Sequence, residues 1–222
     1  TVVALKAGCC GALRFHLNDQ IGGLAGMRAN IDAWWPYVEN GTEQGVEAIL
    51  MNASGCGVMV KDYAQHLQHD PAYAAKAQRI SSLTRDLSEW LPEIASALKG
   101  KLRVPSQRIA YHPPCTLQHG QQLRGAVEQH MGELGFNLQR TACEPHLCCG
   151  SAGTYSVLNP SLATQLRDRK LSGLKQTFAD GPPAQICSAN IGCITHLQSG
   201  TQVPVRHWVE VLDEALNLPL NP

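Results

Sequence analysis

Charge is scarce in this sequence, and what there is cancels. Only 16% of the 222 residues are Asp, Glu, Lys or Arg, with eighteen basic against eighteen acidic; soluble domains usually carry about 25%. No run of like charge stands out, which excludes a nucleic-acid surface or a polybasic membrane patch. So low a charge content also implies that a partner covers part of the surface. No stretch approaches the ~18 apolar residues that span a bilayer, and the segment from Thr1 lacks the charged-then-apolar layout of a signal peptide. A cytosolic chain without a transmembrane segment is therefore expected. Also missing are a phosphate loop, a nucleophile elbow and a G-x-G-x-x-G run, so no nucleotide site is expected on this chain. Neither the ferredoxin cysteine run nor the paired C-x₂-C of zinc ribbons occurs.

Cysteine is what the sequence does have. The nine residues are an odd number, and two adjacent pairs argue against a secreted disulfide framework. Neighbouring Cα atoms lie about 3.8 Å apart, below the ~4.4 Å lower limit of ordinary disulfides. Cys9-Cys10-Gly11 with Cys56 downstream recurs about 140 residues later as Cys148-Cys149-Gly150 with Cys193 downstream. The repeat says that each half builds the same thiol-lined site, which implies a metal or redox role. The second copy has an upstream partner, Cys115, whose first-half equivalent would fall before Thr1. The expectation is two related domains: residues 1–100, truncated at the N-terminus, and residues 101–222.

The coarse pattern is α/β. Residues 2–5 read as a strand, followed by the Cys-Cys-Gly loop and a helix from near Asn18 with Leu24, Met27, Ile31 and Trp34 inward. Residues 45–51 form the next strand, ending in the turn that holds Cys56. Ile80, Leu83, Leu87, Leu91, Ile94 and Leu98 make one long amphipathic stripe, kinked at Pro92 and closed by Gly100, and residues 99–107 read as the linker. Residues 109–111 form a strand delivering Cys115, and a helix follows with Leu123, Val127, Met131 and Leu134 inward. A strand around Leu138, the second Cys-Cys-Gly loop and a helix opened by Asn159-Pro160, with Leu162 and Leu166 inward, come next. Residues 184–187 form the strand before Cys193, and Trp208, Val211, Leu212 and Ala215 mark a closing helix. Strands alternating with helices predict βαβ-type units with mostly parallel sheets, related by a pseudo-twofold duplication.

In each half the cysteines fall at strand ends or before helices, where open α/β sheets place ligands and where thiolates are favoured. Cys115, Cys148, Cys149 and Cys193 form a set of four soft ligands, suited to an iron-sulfur cluster or to zinc. Cys9, Cys10 and Cys56 are the remnant of a first-half site. Cys143 reads as structural or incidental and Cys187 as packed; the plain alternative for any buried cysteine is that it fills space. His112, His119 and His146 flank the second set as ligands or hydrogen-bond donors to sulfur, His146 being two residues from Cys148. Gly150-Ser151-Ala152-Gly153 forms either an anion-binding nest or a tight turn.

The paired Cys-Cys-Gly sets resemble the cysteine-rich CCG domain found twice in heterodisulfide reductases and in iron-sulfur subunits of flavin-linked dehydrogenases. Further motifs narrow the likeness: Asn30-Ile31-Asp32-Ala33-Trp34-Trp35-Pro36, Ala53-Ser54-Gly55-Cys56-Gly57, Cys115-Thr116-Leu117-Gln118-His119, His146 through Tyr155, Ala189-Asn190-Ile191-Gly192-Cys193 and Val205-Arg206-His207-Trp208. Together they resemble the C-terminal part of the glycolate oxidase iron-sulfur subunits, over essentially the whole chain. That resemblance implies an oxidoreductase complex of bacterial glyoxylate metabolism that oxidises glycolate to glyoxylate. FAD sits on partner subunits, electrons pass to a membrane acceptor, and the location is cytoplasmic or peripheral to the inner face of the cell membrane. It also implies a ferredoxin-like N-terminal domain in the full-length chain, a [4Fe-4S] cluster held by the cysteines, and no activity for the isolated chain. The heterodisulfide reductase pattern ends in C-x-x-C, but Ala53 and Asn190 stand three residues before Cys56 and Cys193. Four ligands remain in the second half and three in the first, and an expressed fragment is expected to show empty sites. Two competing readings are a structural or zinc-binding docking module for flavin subunits, and a heterodisulfide reductase-like thiol-disulfide oxidoreductase.

Overall fold

The computed structural model of the chain describes residues 1–39 and 45–216. Its contacts divide the chain into two compact units, Thr1–Leu87 and Ser88–Pro222. In the first, α1 (Ala12–His16) leads into α2 (Gln20–Val38), whose N-cap Asp19 accepts from the Gly22 N–H at 2.9 Å. Next come β1 (Ile49–Met51), α3 (Ser54–Lys61), α4 (Tyr63–His66), α5 (Ala74–Leu83) and β2 (Thr84–Asp86). β1 and β2 pair in parallel, Ile49 opposite Thr84 and Met51 opposite Asp86. Met27 and Ile31 of α2 pack with Met59, Val60, Tyr63 and Ile80 in one core, and Leu24 and Trp34 lie half-buried against it.

Helix α6 (Leu87–Leu98) begins at the boundary. The second unit continues with β3 (Arg108–His112), a π-helical turn (Thr116–Gly120), α7 (Ala126–Glu133), β4 (Asn137–Arg140), α8 (Tyr155–Leu158) and α9 (Pro160–Lys175). It closes with β5 (Gln185–Ser188), α10 (Ile191–Gln198), β6 (Val205–His207) and α11 (Trp208–Ala215). The four strands form one sheet in the order β4-β3-β5-β6, every pair parallel. The fold is thus α/β with two parallel sheets. Leu171 and Leu174 of α9 pack with Ala110, Ile186, Leu197 and Val205, a core that also contains Cys149 and Cys193. No helix among the described residues is long and apolar enough to cross a membrane.

Several local expectations change. Residues 2–5 are not a strand: Val2, Val3 and Leu5 are exposed, and the Ala7 N–H turns back to the Ala4 carbonyl at 2.9 Å. The first unit's only strand pair among the described residues is β1 with β2, which leaves residues 2–5 no ladder to join. The long stripe from Ile80 to Leu98 is two helices, because Thr84-Arg85-Asp86 between them is drawn out as the partner of β1; tertiary pairing overrides helical periodicity there. β6, at residues 205–207, is a strand that the sequence pattern does not announce. The order of strand, cysteine-bearing helix, strand and helix appears as β1-α3 and β2-α6, then again as β5-α10-β6-α11.

Helix α9 starts at Pro160 as expected, but its inner face is shifted. Leu162 is 52% exposed, while Ala163, Lys170, Leu171 and Leu174 are buried. A small residue and a lysine on the inner face hide the true phase from an apolar count. Burying a leucine side chain stabilises by about 1.5–3 kcal/mol, and emptying a packed site costs about 2–5 kcal/mol. Leu171→Ala should therefore destabilise by about 2–5 kcal/mol in urea unfolding, and Leu162→Ala by less than about 0.5 kcal/mol. The reverse ranking would contradict the observed phase of α9.

Candidate metal centre

In the second unit the strand order turns back between β3 and β5, the neighbours of which lie on opposite sides. Open α/β sheets form a crevice outside the carboxyl ends of the strands at such a reversal. β3 ends at His112, and Pro113-Pro114, with fixed φ and no N–H, carry the chain to Cys115. β5 ends at Ser188, and Asn190, extended at φ −150°, opens α10 with Cys193 in its first turn. The Ser188 hydroxyl donates to the His112 carbonyl at 2.9 Å, tying the two strand ends together. Gln118 joins the loops: its amide donates to the carbonyls of Pro113 at 2.9 Å and Pro145 at 3.3 Å, next to the segment bearing Cys148 and Cys149.

The structure brings Cys115, Cys148, Cys149 and Cys193 together. Cys115 contacts Cys148, Cys148 contacts Cys149, Cys149 contacts Cys193, and Cys193 contacts His112. One His112 ring nitrogen and the Cys149 and Cys193 sulfurs offer three ligand atoms within 4.8 Å of one another, all three residues being buried. His112 is 1% exposed, and neither ring nitrogen finds a nitrogen or oxygen partner. Polar groups serve the sulfurs instead. The Gly150 N–H donates to Cys148 Sγ at 3.3 Å, the Asn190 amide reaches Cys193 Sγ at 3.8 Å, and the Ser151 hydroxyl lies 3.2 Å from Cys149 Sγ and 4.0 Å from Cys193 Sγ.

Thiols this close cannot all ionise without a countercharge. Cys148 is held far below the usual thiol range by the hydrogen bond from Cys115, and Cys193 by that from Cys149. The donors Cys115 and Cys149 are pushed up by the same contacts and by burial. Burial, more than any nearby charge, raises Cys187, inside β5, to about 12, and Cys143 is exposed. His119 and His146 are also exposed and line a shallow recess with Gln118, Arg124 and Arg140.

The first unit gathers Cys10 and Cys56. The Cys10 thiol donates to Cys56, lowering Cys56 and raising Cys10, with the exposed Cys9 beside them. Buried Asn30 clamps the pair: it accepts from the Gly8 N–H at 2.7 Å and donates to the Cys9 carbonyl at 2.9 Å. The Tyr63 hydroxyl donates to the Cys10 carbonyl at 2.8 Å. The two loops share one backbone device. Gly11 (φ 86°) and Gly150 (φ 95°) occupy the left-handed region, and a Cβ would lie 2.6 Å from the Gly23 carbonyl oxygen of α2 or 2.5 Å from that of Ala163 in α9.

Sequence reasoning does not single out Tyr63 or Lys170, names Ser151 only within the turn at residues 150–153, and quotes Asn30 and Gln118 only inside longer motifs. Asn30 does leave a trace, a polar residue beside Ile31 within an apolar stripe. Lys170 leaves none, because periodicity assigns lysine to the solvent face.

A profile of the CCG cysteine-rich domain family matches residues 1–61 and 109–198, which hold all nine cysteines. The chain is 50% identical over 216 residues to the Escherichia coli (strain K12) glycolate oxidase iron-sulfur subunit, covering 96% of this chain and 50% of that protein. It is 29% identical over 186 residues to lactate utilization protein A of an Exiguobacterium species, covering 81% of this chain and 73% of the relative. A probable glycolate oxidase iron-sulfur subunit of Bacillus subtilis (strain 168) is 25% identical over 90% of this chain and 43% of its own length. The chain spans about half the length of the two glycolate oxidase relatives.

The close approach at Gly150 yields a graded expectation. Gly153→Ala, at φ 51° in open space, should cost about 1–2 kcal/mol for the left-handed backbone alone. Gly150→Ala adds a clash with helix backbone and should cost more, about 3 kcal/mol or above, with the gap read from urea unfolding. Equal costs would mean that the packing of Gly150 on α9 is unimportant.

Proposed function

Since the chain belongs to the CCG cysteine-rich domain family, we propose that it is the cysteine-rich half of an iron-sulfur subunit in a complex oxidising a small 2-hydroxy acid, with glycolate as the first candidate. The likeness to the E. coli glycolate oxidase iron-sulfur subunit supports glycolate, and the lactate utilization relative supports the same chemical class. In this reading FAD resides on partner subunits, electrons leave to a membrane acceptor, and the chain lies at the inner membrane face without crossing it.

The observation that carries the proposal is the meeting of Cys115, Cys148, Cys149 and Cys193 around a buried His112 whose ring faces sulfur rather than any nitrogen or oxygen partner. An all-thiolate donor set selects iron-sulfur clusters or zinc over hard cations. Four sulfurs match the ligand count of a [4Fe-4S] cluster, which when bound supplies one-electron redox chemistry. The protein's own part is to hold the sulfurs, to exclude water with Leu171, Ile186 and Leu197, and to aim the Gly150 N–H, Asn190 and Ser151 at sulfur. Such hydrogen bonds tune a bound metal's affinity and potential. Cys9, Cys10 and Cys56 offer three ligands in the first unit.

A second reading is a zinc-bound docking module. It is favoured by one feature, the 4.8 Å grouping of His112, Cys149 and Cys193, which suits a single ion with N/S ligands.

Anaerobic reconstitution separates the two. The expected product contains iron and acid-labile sulfide in equal amounts, with broad visible absorbance and an EPR signal on reduction. Cys149→Ser and Cys193→Ser should each lose most of that iron, and Cys143→Ser should keep it. Protein with intact thiols that takes up zinc but no iron would overturn the cluster reading in favour of docking.

A further inference from the structure

Lys170 is 2% exposed, the one lysine buried among the described residues. Burying an ammonium is unfavourable unless hydrogen bonds and negative charge compensate it. Its Nζ donates to the Glu144 carbonyl at 2.7 Å. The Glu144 carboxylate cannot be its main charge partner, because Arg169 grips both carboxylate oxygens. Burial holds the Lys170 ammonium below the usual lysine range, and the groups that work against it are Cys115 and Cys149 when they are thiolates, ahead of Glu144 and Cys143.

The ammonium is also fixed in place relative to the cysteine loop. It projects from the inner face of α9, the helix whose Ala163 backbone abuts Gly150. The segment before the cysteine pair is pinned to the same helix by Lys170 and by the Thr141 hydroxyl, which donates to the Gly173 carbonyl at 2.9 Å.

The structure assigns Lys170 as the counter-cation of the cysteine site, a positioning residue whose buried charge offsets that of the gathered thiolates and raises the reduction potential of the metal they hold. The inference rests on the iron-sulfur reading above and deepens it. Reduction adds one negative charge to a centre that four thiolates already make negative. A fixed positive charge in a poorly screened interior favours that step. A lysine that merely tied down the Glu144 carbonyl would be replaceable by any side chain donating the same hydrogen bond.

The test uses the chain reconstituted anaerobically with iron and sulfide, its midpoint potential read by EPR during titration with dithionite. In Lys170→Gln, which keeps a donor but loses the charge, the one-electron equilibrium should move about tenfold toward the oxidised form, a fall of ~59 mV. Lys170→Arg should stay within about threefold of the parent. Equal potentials in parent and Lys170→Gln overturn the inference, as does an equal fall in both variants. Where Lys170→Gln fails to load, iron content decides: a loaded Lys170→Arg supports the charge role, and an unloaded one overturns it. Failure of the parent to take up iron sinks the cluster reading and this inference together, whereas a loaded parent with an indifferent Lys170→Gln sinks this inference alone.

Discussion

The contact on which the rest of the site depends is backbone against backbone: a left-handed glycine, directly after a cysteine pair, seated on the main chain of a helix. Gly150 meets the Ala163 carbonyl and Gly11 meets that of Gly23. No side chain fits in either gap, and φ near 90° is unfavourable for any residue with a Cβ. In the second unit the approach puts Cys148 and Cys149 at the sheet's carboxyl edge, and in the first it buries Cys10 while Cys9 stays exposed. It also explains why the third letter of the repeated motif is as restrictive as the first two.

Once the thiols are gathered, charge becomes the governing problem. The thiols settle into alternate donors and acceptors, Cys115 to Cys148 and Cys149 to Cys193, which limits the buried negative charge. A metal centre needs all four as thiolates, so the surroundings must supply compensation. Hydrogen bonds from the Gly150 N–H and Asn190 provide part of it. Lys170, buried where an unpaired ammonium would be unstable, provides a full charge.

How much of this the sequence reveals depends on which force sets each feature. The cysteine sets, the helix opened by Pro160 and the parallel α/β pattern follow from local chemistry and spacing, and all are legible. The features that escape a sequence reading are tertiary. Thr84-Arg85-Asp86 reads as part of a helix until β1 demands a partner, and β6 is too short to show a period. Leu162 and Leu166 look inward until Lys170 is found there instead, since apolar counting has no way to register a buried cation held by a backbone carbonyl far away in sequence. Among the histidines, nearness in sequence favours His146, yet strand geometry puts His112 against the sulfurs, because the last residue of β3 faces the same crevice as the start of α10.

The two halves share a motif but not its surroundings. Both units keep the cysteine pair, the left-handed glycine and a downstream cysteine in a helix's first turn, which is the backbone solution to placing sulfur. They differ in what surrounds it. In the first unit Asn30 and Tyr63 clamp carbonyls of the loop and leave Cys9 at the surface. A backbone N–H reaches sulfur in both, from Ala12 to Cys10 and from Gly150 to Cys148, but in the second unit the side chains of Ser151 and Asn190 reach sulfur as well and a histidine joins the cluster. Carbonyl clamps fix geometry without altering charge, whereas donors and cations aimed at sulfur change which protonation and redox states are stable. Duplication has therefore conserved a scaffold for thiols, and the electrostatic setting, which decides the chemistry, has been built separately in each copy.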